Sequence, residues 1–186
     1  RSRGLGDVYK RQGIEDDNEL IRTKIKEIIG ELEDSKKNLY TDNCILNSVL
    51  NIKYSAAQVA DIKIESNIFV PKYMNIDYGD MGVLFGNLLD NAIEANQGVD
   101  RKKRWINVSV KYEEHILIIN IKNSKIRGSR RKKKGYLNHG IGLNSVKQIV
   151  EKFNGIVEVQ DFGEMYEVSA ILYGICDDKD LGKSVL

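Results

Sequence analysis

Residues 86–95 read Gly-Asn-Leu-Leu-Asp-Asn-Ala-Ile-Glu-Ala. At about 100° per residue, Asn87, Asp90, Asn91 and Glu94 share one arc of a helix. Met81, Phe85, Leu88 and Ala92 take the opposite face, so that side packs as an ordinary amphipathic helix does. A solvated face normally carries Lys, Glu, Arg and Gln, whereas Asn is a mediocre helix former whose amide competes for backbone hydrogen bonds. Two Asn residues four apart, beside the small Ala92, therefore read as a pocket wall with amides aimed inward. An amide oxygen is a hard donor suited to Mg²⁺, which keeps much of its water shell when it binds phosphates. Gly82 and Gly86 each cost roughly 1 kcal/mol in a helix interior, which points to the close approach of another element. The helix is expected over residues 80–96, with Gly98 closing it.

Downstream, residues 105–112 and 116–122 alternate as two strands around the turn Glu113-Glu114-His115. A basic, aperiodic stretch over residues 123–139 reads as a long loop. It leads into His139-Gly140-Ile141-Gly142-Leu143, a Gly-x-Gly turn opening a helix over residues 143–153 that carries Val146, Ile149, Val150 and Phe153. Backbone N–H groups at a helix N-terminus favour an anion, and glycine lets phosphate approach the backbone, although the same pattern also occurs as plain turn chemistry. Asn154-Gly155 ends the helix, and two strands follow over residues 156–160 and 166–173 around Gly163. Upstream, Ile62, Ile64 and Ile68 alternate as a strand before Pro71. Hairpins with helices between them predict an α+β two-layer sandwich.

Before that domain, Ile21, Ile25, Ile28, Ile29 and Leu32 keep a helical period within residues 15–32. So do Ile45, Val49, Ile52, Ala56 and Val59, flanked by Leu46 and Leu50, with Thr41 or Asp42 as N-cap. The two stripes read as a helical hairpin or dimerising stalk, or as two plain core helices. The opening RSRGLGDVYKRQ carries no periodicity and resembles translated adaptor sequence, so a native N-terminus is expected further upstream.

With 41% apolar and 30% charged residues and one Pro in 186, the chain is globular in composition rather than collagen-like or wholly disordered. Its longest uncharged apolar run, residues 168–176, is half the roughly 18 residues of a membrane span. Cys44 and Cys176 stand in no metal-ligand or disulfide-framework spacing and read as reduced core residues. Net charge is 29 − 27 = +2, yet eight basic residues and no acidic one lie over residues 122–134. The loop over residues 125–134 is thus placed to meet phosphate charge as a lid. No aromatic interleaving, helix-turn-helix or RNP pattern accompanies the cluster, so no nucleic-acid partner is expected.

The order of NLLDNAIEA helix, IKNS hairpin, basic loop, HGIGL helix and final hairpin resembles the GHKL nucleotide-binding superfamily over residues 60–175. Within it the chain looks most like the ATP-binding domain of Gram-positive sensor histidine kinases of the peptide-quorum-sensing receptor and NatK type. That resemblance implies the GHKL (Bergerat) fold with ATP and Mg²⁺ as cofactors. Asn91 would be the metal ligand, and Asn87 would help hold phosphates or ribose. His139, Gly140, Gly142 and Leu143 would form the glycine box, and Lys133 would be the lid lysine. Asn123 sits where most members carry an adenine-reading Asp. Members that hydrolyse ATP place Glu four residues before the metal-binding Asn, where it takes a proton from water. Here that position is Asn87, which favours phosphoryl transfer to a protein side chain.

Residues 1–12 are expected to be a non-native leader and the polar residues 177–186 a flexible tail. The resemblance implies that residues 13–59 are a remnant of the dimerising phosphoacceptor region and 60–176 the ATP-binding domain. The partners would be a second copy, paired through the N-terminal helices, and a response regulator. The domain would be cytoplasmic within a membrane-anchored protein. Neither His115 nor His139 lies on the upstream helices, so the acceptor histidine is expected elsewhere and no residue here is assigned a catalytic role. The alternative is a nucleotide-sensing GHKL module without phosphotransfer.

Overall fold

The computed structural model describes residues 38–128 and 141–177. The expected leader, the helix at residues 15–32, most of the basic loop and the residues after Asp177 lie outside the described residues. In order, the described elements are α1 (Cys44–Val59), β1 (Lys63–Phe69), α2 (Tyr78–Asn96), a 3₁₀ turn (Arg101–Lys103), β2 (Trp105–Glu113), β3 (Ile116–Ser124), α3 (Ile141–Lys152), β4 (Ile156–Asp161) and β5 (Met165–Tyr173). The five strands form one sheet in the order β1-β2-β3-β5-β4. All neighbours are antiparallel except β1 and β2, which run parallel because α2 carries the chain across between them.

Period-two alternation gives the sheet one apolar face. Ile106, Val108 and Val110 of β2, Leu117, Ile119 and Ile121 of β3, and Val168, Ala170 and Leu172 of β5 are all buried. They share a core with Met81, Leu84, Phe85, Leu88, Leu89 and Ala92 of α2 and with Val146, Ile149 and Val150 of α3. Each fully buried side chain of this size contributes about 1.5–3 kcal/mol, so this apolar contact is the main force joining the two layers. The β2–β3 turn holds Glu114 and His115 at φ 47° and 65°, the backbone conformation that matches the twist of a tight hairpin. At the α3–β4 turn only glycine fits at residue 155, since a Cβ there would stand 2.1 Å from the Ile171 carbonyl oxygen.

Helix α1 departs from the expected pattern. Its buried row is Leu46, Leu50, Tyr54 and Ala57, while Ile52 and Val59 are 67% and 88% exposed. Two apolar rows lie side by side on this helix, and packing against α2 and β1 buries the row one residue along from the predicted one. Its N-cap is Asn43, whose Oδ1 accepts from the Leu46 N–H at 3.0 Å, rather than Thr41 or Asp42. Helix α1 belongs with the sheet to the compact unit that begins at Tyr40. Near the last described residue, Asp177 forms an antiparallel bridge with Met74. Cys44 is exposed and Cys176 half-buried, so neither is the core residue expected.

Arg104 gathers the ends of two helices. Its guanidinium donates to the carbonyls of Ala60 (2.7 Å), Val99 (2.9 Å) and Gln97 (3.0 Å), which closes α1 and α2 with a positive charge where helix dipoles are negative. The helix glycines are less constrained than their cost implies. Gly86 faces Lys53 Cε at 4.0 Å, an ordinary contact, and Gly82 has open space where a Cβ would stand.

Tyr54 packs edge-on against Tyr40, with ring centroids 4.7 Å apart, and burial pushes its hydroxyl up to about 12 from 10.0. The neutral form is therefore favoured in the folded state. Its contribution is complete below pH 10 and is lost as pH rises from about 10 through about 12. Ultraviolet titration should show a tyrosine step near pH 12, and Tyr54→Phe should remove that step together with part of the alkaline loss of stability.

Candidate functional site

Asp77 caps α2 by accepting from the Gly79 N–H at 2.8 Å, which sets the phase of the helix. Asn87 then projects from α2 onto the first turn of α3. A Cβ at Gly142 would stand 3.2 Å from Asn87 Oδ1 and 3.5 Å from its Cγ. The missing side chain at Gly142 is thus what lets the Asn87 carboxamide lie against the start of α3. The amide row and the glycine turn, far apart in sequence, form one place. Asn91, one turn further along α2, is half-buried, as is Leu143 beside Gly142.

Asp90, on the same polar arc, has other work. Both its carboxylate oxygens accept from Lys53 Nζ at 2.7 Å, which links α2 to α1. At the far end of the site, Asn123 terminates the inward row of β3 and is only 2% exposed. Its Nδ2 donates one hydrogen to the Ser124 carbonyl at 2.9 Å, and Oδ1 is the acceptor of the same amide. Ser124 in turn meets Asn96, the last residue of α2, which is fully buried.

The basic cluster is partly consumed by the sheet. Lys122 pairs with Glu167 at 3.3 Å, and Lys125 pairs with Asp161 at 2.5 Å while lying 5.9 Å over the Tyr166 ring. The Lys125 ammonium, helped by the Gly163 N–H, holds the Asp161 carboxyl below the usual carboxylate range. These two cations therefore anchor the base of the loop, against the expectation that Lys125 begins a lid. Ile126 seats over Gly98, where a Cβ would come within 2.5 Å of its Cδ1. Lys133, His139 and Gly140 lie outside the described residues. His115 is in the β2–β3 turn, at the opposite end of β3 from Asn123, with Nδ1 3.2 Å from the Ile175 carbonyl oxygen.

Among the described residues no group of three or more His, Cys, Asp and Glu is placed to hold a metal, and no helix is long and apolar enough to cross a membrane. Sequence reasoning missed Lys53, Asn96 and Ser124. A lone Lys on an amphipathic helix gives no signal of its target. The one legible hint at Asn96 was a poor helix former kept in a last turn.

A sequence model of the GHKL domain matches residues 76–172, from the segment before α2 through β5. The chain belongs to the GHKL domain family. No curated protein sequence matches it significantly. Among solved structures, this GHKL domain is similar to the catalytic domain of histidine kinase ThkA, at TM-score 0.56 and 15% identity over 71% of this chain and 91% of that one. It is similar to the mycobacterial sensor histidine kinase MprB, at TM-score 0.54 and 19% identity over 70% and 93% of the two chains. The Acinetobacter baumannii histidine kinase AdeS gives TM-score 0.54 and 16% identity over 90% and 92%. Full-length ShkA, solved in complex with AMPPNP, gives 0.54 and 15% over 73% of this chain and 30% of its own. At these identities the likeness is one of fold.

The contact between Asn87 and Gly142 makes a prediction independent of any ligand. Alanine is favourable in a helix, so Gly142→Ala should fold with a thermal midpoint no lower than the parent. Its new methyl should displace the Asn87 amide, read as a shifted Asn87 side-chain NH₂ resonance. An unmoved resonance would show that the contact tolerates a Cβ.

Proposed function

We propose that this GHKL domain is the ATP-binding catalytic domain of a sensor histidine kinase, which passes the γ-phosphoryl group of Mg-ATP to a protein histidine other than His115 and His139. The observation that carries this reading is the seating of the Asn87 amide on Gly142, which joins the amide row of α2 to the N-terminus of α3. Support comes from the family match, from the fold shared with the histidine kinase ThkA catalytic domain, and from the similar fold of full-length ShkA, solved in complex with AMPPNP.

The donor set fits a metal carried in by a nucleotide. Mg²⁺ bound to phosphates keeps most of its waters and takes one or two oxygen ligands from the protein. Neutral amide oxygens supply that without a carboxylate cluster, and Asn91 is the residue assigned to it. When bound, the ion neutralises charge on the β- and γ-phosphates. Asn87 holds phosphate or ribose oxygens, the N–H groups around Gly142 receive phosphate at the start of α3, and Asn123 Oδ1 accepts from the exocyclic amine of adenine. His139, Gly140, Leu143 and the lid lysine Lys133 complete the nucleotide set. Phosphoryl transfer of this kind needs positioning and charge stabilisation more than covalent help from the domain. Residues 13–59 belong in this reading to the remnant of a dimerising phosphoacceptor region of a membrane-anchored protein, with a response regulator as the next acceptor.

Calorimetric titration with Mg-ATP tests the site. Asn91→Ala should fold and lose roughly tenfold to a hundredfold in Mg-dependent ATP affinity, the equivalent of about 1.5–3 kcal/mol for a contact to a charged group. Asn87→Ala should lose less. Unchanged affinity in folded Asn91→Ala would remove the assignment.

A second expectation concerns chemistry. An amide cannot accept a proton from water, and His115 sits at the wrong end of β3 for the site. The chain alone with Mg-ATP should form no phosphohistidine and release phosphate slowly, and Asn87→Glu should raise hydrolysis by supplying a base. Acid-labile phosphate on His115 or His139, or fast hydrolysis abolished by Asn91→Ala, would overturn it.

A further inference from the structure

The fully buried amide of Asn96 uses all its hydrogen-bonding capacity. Its Nδ2 donates to the Ala92 carbonyl at 2.9 Å and to the Trp105 carbonyl at 3.3 Å. Its Oδ1 accepts from the Trp105 N–H at 3.2 Å and from the Ser124 hydroxyl. The Trp105 N–H also lies 3.1 Å from Ser124 Oγ, so three elements meet at one point: the end of α2, the start of β2 and the end of β3. A fully satisfied buried network of this kind rigidifies its surroundings, whereas a partly satisfied one is costly. Ser124 passes the constraint on, because its carbonyl is what receives Asn123 Nδ2.

We propose that Asn96 and Ser124 are positioning residues that hold the base-reading Asn123 at a set distance and orientation from the Asn87–Asn91 row. The inference rests on the nucleotide reading above. A nucleotide bound by both its base and its metal-bound phosphates is held in one extension, so a site that grips both ends needs its two halves in register. Asn96 belongs to the same helix as Asn91, and Ser124 is the neighbour of Asn123 in the chain. The Asn96–Ser124 hydrogen bond is thus the side-chain link between the two halves. The Ser124 carbonyl in turn takes one of the two Nδ2 hydrogens of Asn123, and Oδ1 stays an acceptor of the kind that suits the amine of adenine.

The test compares ligands that share phosphates and differ in the base. Wild type, Ser124→Ala and Ser124→Thr are titrated with Mg-ATP, Mg-GTP and magnesium tripolyphosphate, after circular dichroism and thermal melts confirm folding. In Ser124→Ala, ATP affinity should fall about tenfold and the ATP-over-GTP preference should shrink, while tripolyphosphate affinity stays within twofold of wild type. That is the equivalent of one hydrogen bond, about 1.4 kcal/mol. Ser124→Thr keeps the hydroxyl and should restore both quantities. Equal losses for ATP and tripolyphosphate would mean a general loosening and would overturn the proposal, as would an unchanged ATP-over-GTP ratio in a folded Ser124→Ala protein. Absence of ATP binding in the wild type would instead overturn the nucleotide reading itself, and this inference with it.

Discussion

Helix α2 has to satisfy two environments at once. One side is driven into the sheet by Met81, Leu84, Phe85, Leu88, Leu89 and Ala92, while the neighbouring arc must keep Asn87 and Asn91 in place without burying them in apolar contacts. Apolar packing alone is non-directional and would tolerate small rotations of the helix. Here the rotation is fixed by polar contacts at points along its length. Asp77 caps the first turn, Asp80 receives Lys152 Nζ from α3 at 2.8 Å, Asp90 receives Lys53 from α1, and Asn96 is pinned between β2 and β3. Each exposed ion pair is weak alone, but together they give the helix one azimuth. The amide row faces the start of α3 as a consequence.

The distribution of charge follows the same division of labour. The strongly basic stretch after β3 looks in sequence like a single phosphate-seeking feature, yet Lys122 and Lys125 are spent on Glu167 and Asp161 of the final hairpin. The loop thereby leaves the sheet from a fixed base, with Ile126 seated over Gly98 at the end of α2. The candidate site brings the neutral amide of Asn87 to the first turn of α3. In the proposed reading such a set suits a polyanion that brings its own metal better than a free divalent cation, which would call for carboxylates.

Sequence periodicity by itself determined the elements around the site. The amphipathic arc of α2, the two hairpins, the Gly-x-Gly opening of α3 and the α+β class all follow from local rules, because side-chain period and turn chemistry are properties of neighbouring residues. The order of those elements and their motifs resembles the GHKL superfamily, and the match of the GHKL sequence model to residues 76–172 shows the membership. Local pattern did not decide which of two adjacent rows on α1 would be buried, since Ile52 and Val59 are as apolar as Leu46 and Leu50, and only the presence of α2 and β1 distinguishes them. Nor did it reveal that Asp90 serves α1 while Asn87 serves α3, or that Asn96 reaches Ser124. Those assignments depend on pairs distant in sequence. A side chain's type states what it can bond to, and only the packed layers decide which partner arrives within reach.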